Sequence, residues 1–284
     1  MLTSGGYSVR VRIIGEELRA HREAAGLTLR EAEQKADIDK TKLCRMENGE
    51  RPQKIEDVAC LLAVYGVIGE QRRHLLNLTR EADRPGLLQR NSSTFAQKIT
   101  TLRFLESRAT RLINFECQVI PGLLQTFPYA EALIRHGGMF DNEVAAARAI
   151  ARIHRQGVLR KSRAPQYQAI IMEGALHNLV GDDTVMRDQL VYLTEAAKRP
   201  NVSLRIIPAS AGNHPGVDGP FLRLDFDHRS GVVVLCNRTS SVYLENEEDL
   251  MDCANVVVEL LSVALGEEES VALVTRIAAT WGGS

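Results

Sequence analysis

Between residues 40 and 54 five basic side chains (Lys40, Lys42, Arg45, Arg51 and Lys54) stand against two acids, Glu47 and Glu50. Cations at this density can neutralise phosphates, and Lys, Thr and Arg on one helix can reach base edges in a major groove. A charge run is also what an ordinary solvated face looks like, so the surrounding pattern must decide. Enzymatic chemistry has less to stand on. The chain holds no GxSxG, HExxH, Walker or GxGxxG pattern. Its seven histidines (His21, His74, His136, His154, His177, His214, His228) keep no ligand spacing, and its five cysteines (Cys44, Cys60, Cys117, Cys236, Cys253) form no CxxC. We expect no catalytic site, no metal and no cofactor, and reduced thiols of the cytoplasmic kind.

Two other stretches could bind something. One is Pro121-Gly122-Leu123-Leu124-Gln125-Thr126 with Tyr129 beside it; the other is the loop from Gly212 to Gly219, which carries His214 and leads into Phe221. The first also reads as a packed turn, with Pro121 fixing the backbone and Leu123 and Leu124 filling the core. Gln125 separates the two readings, because it has both donor and acceptor. Bonded wholly to backbone with no cavity beside it, it marks a structural turn.

The basic run lies among short helices. Ile13, Ile14, Leu18 and Ala25 recur at helical spacing, and Gly26 stops that helix. Thr28 with Glu31 makes a capping box for a second helix to about Ala36. Asp37-Ile38 forms a tight turn, and Asp39 caps a third helix, Lys40 to Glu47. Lys40, Thr41, Lys42 and Arg45 stand out from it, while Leu43 and Met46 point inward. Helices from Ile55 and Glu70 complete the set. Two short helices around a tight turn, the second one basic, suit a helix-turn-helix.

Length and composition fit this division. The 284 residues are 44% hydrophobic and 25% charged, with a net charge of −1, so nucleic-acid contact must come from a local patch. No apolar run approaches the ~20 residues of a membrane span, and the first residues lack the apolar core of a signal peptide. We expect a helix-turn-helix domain over 1–80, a linker over 81–93 and a second domain over 94–284. In the second domain, Phe95 to Leu112 reads as a helix, as do Tyr129 to His136, Asp141 to about Arg163, Gly174 to Val180, Met186 to Lys198, Glu247 to Leu265 and Ser270 to Trp281. Phe115 to Ile120 is partly extended, and Tyr167 to Met172, Val202 to Ile207, Phe221 to Phe226, Val232 to Leu235 and Ser241 to Leu244 read as strands. The fold class is α+β, mostly helical, with a small, mostly antiparallel sheet.

The stretch GEELRAHREAAGLTLREAEQKADIDKTKLCRMENGERPQ resembles the helix-turn-helix of XRE-family (Cro and phage-repressor-like) transcription factors. Leu18, Arg19, Arg22, Gly26, Leu27, Thr28, Ile38, Leu43, Glu47, Gly49 and Pro52 carry the likeness. It implies that Lys40, Thr41 and Arg45 read bases; beside them we expect Lys42, Arg51 and Lys54 on phosphates or the flanks. It also implies that Arg22 and Glu47 form an ion pair bracing the first helix against the third. Three residues depart from the pattern. Glu33 stands where alanine is usual and needs a partner or an outward position. Asp37 replaces the turn glycine, and Cys44 replaces a frequent serine.

The remainder, through PGLLQT, YAEALIR, ARIHRQGVLR, MEGALHNLVG, NVSLRIIP and GPFLRLDF, resembles the C-terminal domain of unknown function of actinobacterial, antitoxin-like regulators. The whole reads as a transcriptional regulator that binds a double-stranded operator and senses a ligand or partner through its C-terminal domain. Readers of this class place two recognition helices one DNA turn apart, so we expect a homodimer. The helix 247–265 or the helix 141–163 is its contact. The alternative is an antitoxin-like protein that binds a small partner encoded nearby and regulates its own gene.

Overall fold

The computed structural model describes residues 8–82, 86–90, 95–136, 141–227, 229–237 and 240–282. Expectations for Asp83–Pro85, Asn91–Ser93, Gly137-Gly138 and His228 lie outside the described residues, as does the side chain of Ile99.

Five helices open the chain: α1 Val9–Ala24, α2 Leu29–Ala36, α3 Lys40–Glu47, α4 Ile55–Val64 and α5 Gly69–Arg80. Local signals set their ends. The Thr28 hydroxyl accepts the Glu31 N–H, and the Glu31 carboxylate accepts the Thr28 N–H. Asp37 ends α2 in the left-handed region at φ 53°, a conformation Asp tolerates better than most residues. Asp39 caps α3 by accepting from the Lys42 N–H. Leu18, Leu43, Met46, Leu61, Leu62 and Leu75 are fully buried between the helices. Ala25, expected on the apolar face of α1, instead lies just past its end and is exposed.

Helices α1 and α3 cross unusually closely because Gly15 has no side chain at the crossing. A Cβ there would sit 2.4 Å from the Met46 carbonyl oxygen and 2.9 Å from that of Glu47. The Gln53 amide closes the same junction, donating to the carbonyls of Val11 (3.0 Å) and Met46 (2.9 Å).

The second region continues as β1 Leu87–Arg90, α6 Phe95–Arg108, β2 Arg111–Glu116, α7 Phe127–His136, α8 Asn142–Arg155, β3 Gln166–Met172, α9 Gly174–His177, α10 Asp183–Ala197, β4 Val202–Ile207, β5 Phe221–Phe226, β6 Arg229–Cys236, β7 Ser240–Leu244, α11 Glu247–Val263 and α12 Glu267–Thr280. The strands form one sheet in the order β1-β7-β6-β5-β2-β3-β4. Among the described residues only β2–β3 and β3–β4 pair in parallel, so the sheet is mostly antiparallel and the α+β class holds. Alternation along the strands splits the core. Leu112, Ala169, Ile171, Val232 and Val234 join the large cluster that includes α6, α10, α12 and the helical domain. Ile113, Ile170 and Val233 pack with Val257 and Leu260 of α11 on the other face.

Several segments differ from the sequence reading: the α-helix expected over Asp141 to about Arg163 ends at Arg155, that expected over Gly174 to Val180 ends at His177, and the last helix begins at Glu267 and not at Ser270. Leu87–Arg90, inside the stretch read as linker, pairs antiparallel with β7, Leu87 opposite Tyr243. The helix expected to reach Leu112 ends at Arg108, and 111–116 is a central strand. Leu112 to Phe115 are all buried between β3 and β5. A strand covered on both faces loses the alternation that would reveal it.

The Gly15 contact gives a direct test. Gly15→Ala gains helix propensity of up to ~1 kcal/mol but forces backbone apart in a packed crossing, which typically costs about 1–3 kcal/mol. The variant is expected to unfold at lower denaturant than the wild type; equal or higher stability would show that the crossing has room.

Candidate nucleic-acid interface and C-terminal cavity

Helix α3 presents Lys40, Thr41 and Arg45 to solvent and turns Leu43, Met46 and Glu47 inward. Lys54, at the start of α4, is also exposed. Lys42 is less free: its ammonium lies 2.7 Å from the Asp57 carboxylate of α4, with both side chains partly covered. Arg51 is half-buried. The exposed set is therefore Lys40, Thr41, Arg45 and Lys54, and Lys42 reaches a phosphate only by leaving Asp57.

Glu33 takes up a specific task. Its Oε1 accepts the backbone N–H of Lys40 at 2.9 Å, which satisfies a free donor in the first turn of α3. A carboxylate there also complements the positive end of the helix dipole. Cys44 is half-buried, and its Sγ accepts from the Asn48 amide at 3.6 Å.

The pair behind α3 is bidentate. Arg22 Nε lies 2.7 Å from Glu47 Oε1, and Arg22 Nη2 lies 2.8 Å from Oε2. Glu47 is 1% exposed and Arg22 8%. Arg22 Nη1 also donates to the Leu27 carbonyl at 2.8 Å, and Arg19 Nε approaches Glu47 Oε2 at 3.6 Å. The hydrogen bonds to Glu47 raise the Arg22 pKa. The geometry fixes α3 to α1 in distance and in rotation.

The start of α1 is fastened to the second region. The Glu245 carboxylate, just after β7, accepts the Val9 N–H at 2.7 Å and the Gly86 N–H at 3.0 Å. Burial pushes its pKa up. Arg12 is 2% exposed; its guanidinium lies 4.9 Å from the Phe226 ring centre and donates to the Ser230 carbonyl. Arg10 donates to the Gly86 carbonyl. Neither Arg12 nor Glu245 stood out in the sequence.

At the opposite end of β5 and β6, past the carboxyl ends of β2 and β3, a cavity of about 620 Å³ opens between the sheet, α7 and α8. Gln125, Phe221 and the Gly216–Gly219 part of the glycine loop line it. Tyr129 does not: it is fully buried, and its hydroxyl accepts the Ile120 N–H at 3.2 Å. His214 turns inward as well, with Nδ1 accepting the Gly216 N–H at 3.1 Å. Both are structural, supporting the walls from behind. Phe221 stacks at a tilt on Phe115, ring centres 5.7 Å apart.

Gln125 meets neither simple expectation. Its amide donates to the Ile120 carbonyl at 2.7 Å, while its Oε1 accepts from Arg152 Nη1 at 2.9 Å. The turn is packed, with Leu123 and Leu124 buried, and it also aims a charged side chain at a cavity. Glu116 and Arg152, both lining the cavity, are electrostatically perturbed. Burial raises the Glu116 carboxyl to about 7, and burial lowers the Arg152 guanidinium to about 10. Arg155, the other guanidinium there, is held by Glu106 through bonds of 2.9 and 2.6 Å. In the sequence Arg152 and Arg155 lie within the stretch read simply as a helix from Asp141. Among the described residues no group of three or more His, Cys, Asp or Glu side chains could hold a metal ion.

A family profile described as "Domain of unknown function (DUF5753)" matches residues 99–276. The chain belongs to the DUF5753 family. A profile described as "Helix-turn-helix domain" matches residues 13–75, which span α2 and α3 and their braces. No curated protein matches. Among solved structures, the DUF5753 chain is aligned with one titled by its finders "Structure of TrmBL2, an archaeal chromatin protein, shows a novel mode of DNA binding." That alignment has 10% identity and a TM-score of 0.31, covering 87% of this chain and 92% of the other. A likeness at that level carries no argument. No helix among the described residues is long and apolar enough to cross a membrane.

Removing one member of a buried pair leaves the other charge unpaired, which is worse than removing both. Arg22→Met should therefore unfold the helix-turn-helix domain several degrees earlier than Arg22→Met with Glu47→Leu, followed by helical circular dichroism. Equal melting would count against the pair as a brace.

Proposed function

We propose that the protein is a cytoplasmic, sequence-specific transcriptional regulator that reads DNA with α3 as a homodimer and senses a ligand or partner through its C-terminal domain. The observation that carries the DNA-binding part is α3 itself. It presents Lys40, Thr41 and Arg45 on its open face, while its other face is locked to α1 by the Arg22–Glu47 pair. A recognition helix needs that combination, because base contacts discriminate only when the backbone behind them cannot rotate away. The arrangement supports the XRE-type likeness of the sequence.

The sensing part rests on the cavity and on where its walls lead. Strands β5 and β6 contribute Phe221, Leu222, Val234 and Cys236 to the cavity. The far ends of the same strands hold Arg12 through Phe226 and Ser230. A ligand that shifts the hairpin therefore bears on α1, and through Gly15 and Glu47 on α3. For the dimer contact, α11 is favoured over α8. Met251 and Val258, seven residues apart on one face of α11, are 58% and 68% exposed, and a second copy would cover them. Exposed apolar side chains at that spacing form a stripe suited to a two-fold helix contact.

DNA enriched from a random library by the full-length protein provides the test. Arg45→Ala should weaken binding to the selected site by about 1–3 kcal/mol and relax preference at one base position. Lys54→Ala should weaken all sequences alike and lower the salt dependence. Light scattering should give a dimer on that site. Unchanged affinity in a Lys40, Thr41 and Arg45 triple alanine variant, or a monomer on the selected DNA, would overturn the corresponding part.

A further inference from the structure

Of the two cavity guanidiniums, Arg152 is the one with no carboxylate bonded to it; the Glu116 carboxyl in the same cavity acts on its charge only from a distance, and burial pushes that carboxyl toward its neutral form. Among the described residues no carboxylate lies within 4 Å of it, since the ion pairs found include Arg155 with Glu106 but none for Arg152. Its hydrogen bond goes to a neutral amide, Gln125 Oε1. That amide is itself fixed by the Ile120 carbonyl, so the guanidinium is held in one direction rather than left to wander. A buried cation without a bonded anion is costly, and a protein that keeps one oriented into an open cavity leaves that bond to an incoming molecule.

The geometry points to a monoanionic carboxylate with an apolar tail as the ligand of this cavity, its head on Arg152. Guanidinium offers a planar fork that a carboxylate meets with two parallel bonds. Glu106 already holds the Nε–Nη2 edge of Arg155, so Arg152 is the guanidinium still without a bonded carboxylate. A dianion such as a phosphate monoester would find a single free cation and the Glu116 carboxyl sharing its cavity. A neutral ligand would leave Arg152 without a bonded anion. The tail is set by the remaining walls: Leu102, Leu133, Met172, Phe221, Leu222 and Val234. The volume of about 620 Å³ falls within the ~300–1,000 Å³ typical of small-molecule sites. Gln125 acts as a positioning residue, and this gives the PGLLQT turn a purpose beyond packing.

The inference rests on the C-terminal domain being the sensing part of the protein, and the experiment separates the two. Full-length protein is titrated by calorimetry with straight-chain carboxylates of four to twelve carbons and with the matching primary amides. Alkylation of Cys117, a cavity-lining thiol, is followed by mass spectrometry in the same samples. The expected result is saturable binding of one or more carboxylates, at least tenfold tighter than the amides, with Cys117 protected. Arg152→Gln should abolish binding. Arg152→Lys, which keeps the charge and lets folding be maintained, should retain it at roughly a tenth of the affinity or less. Gln125→Glu, which supplies an internal partner for Arg152, should also abolish it. No carboxylate binding, amides binding as well as acids, or full binding by Arg152→Gln would each overturn the proposal. DNA affinity measured with and without the bound carboxylate reads the sensing role separately. An unchanged affinity would remove that role while leaving the ligand assignment standing.

Discussion

A carboxylate that is 1% exposed inside a small helical domain must be matched or it unfolds the domain around it. Glu47 is that carboxylate, and Arg22 meets it with two bonds below 3 Å. The match is directional, because a bidentate fork fixes both separation and angle. Helix α3 has only eight residues and would be marginal by itself. Its position follows from four restraints acting together: the Glu47 fork, the Glu33 cap, the Asp39 cap and the close approach at Gly15. Whatever Lys40, Thr41 and Arg45 do, they do it from a platform that cannot rotate without breaking these contacts.

The platform is not an independent bead on a string. Helix α1 carries Arg22 near its last turn and begins at Val9, where its first free N–H is taken by Glu245 from the end of β7. Arg12, two turns before Arg19, is buried against Phe226 and Ser230. One helix thus touches the recognition helix along its length and the sheet at its start. The apolar side chains of the helical domain join the sheet's larger core cluster without a break. Because β5 and β6 run from that contact to the cavity, the helical domain meets the strands that line the cavity and is not joined to them by a linker alone.

What was legible in the sequence were the features governed by neighbours in the chain. The Thr28–Glu31 capping box, the Asp37 turn and the Asp39 cap are local chemistry, and each formed where the spacing placed it. Glu33 announced that it needed a partner but not which one, since the Lys40 N–H is seven residues away. The features set by distant neighbours were hidden. Leu87–Arg90 is too short to show a pattern and becomes a strand only because β7 pairs with it. The helical reading ran on to Leu112 because β2, covered on both faces, lacks the alternation of a strand. Tyr129 and His214 carried functional-looking groups, yet their polar atoms serve nearby backbone. Arg152, Glu116 and Glu245 gave no signal, because their importance comes from burial at sites assembled from remote segments.

The central claim is that α3 meets DNA, and photochemical crosslinking locates that contact without altering the protein. DNA enriched from a random library by the full-length chain is resynthesised with 5-iodouracil in place of thymine, irradiated in the complex and digested, and the crosslinked peptides are identified by mass spectrometry. The account predicts crosslinks within residues 37–54, concentrated on α3. Crosslinks confined to the C-terminal domain, or the absence of any enriched DNA, would contradict it.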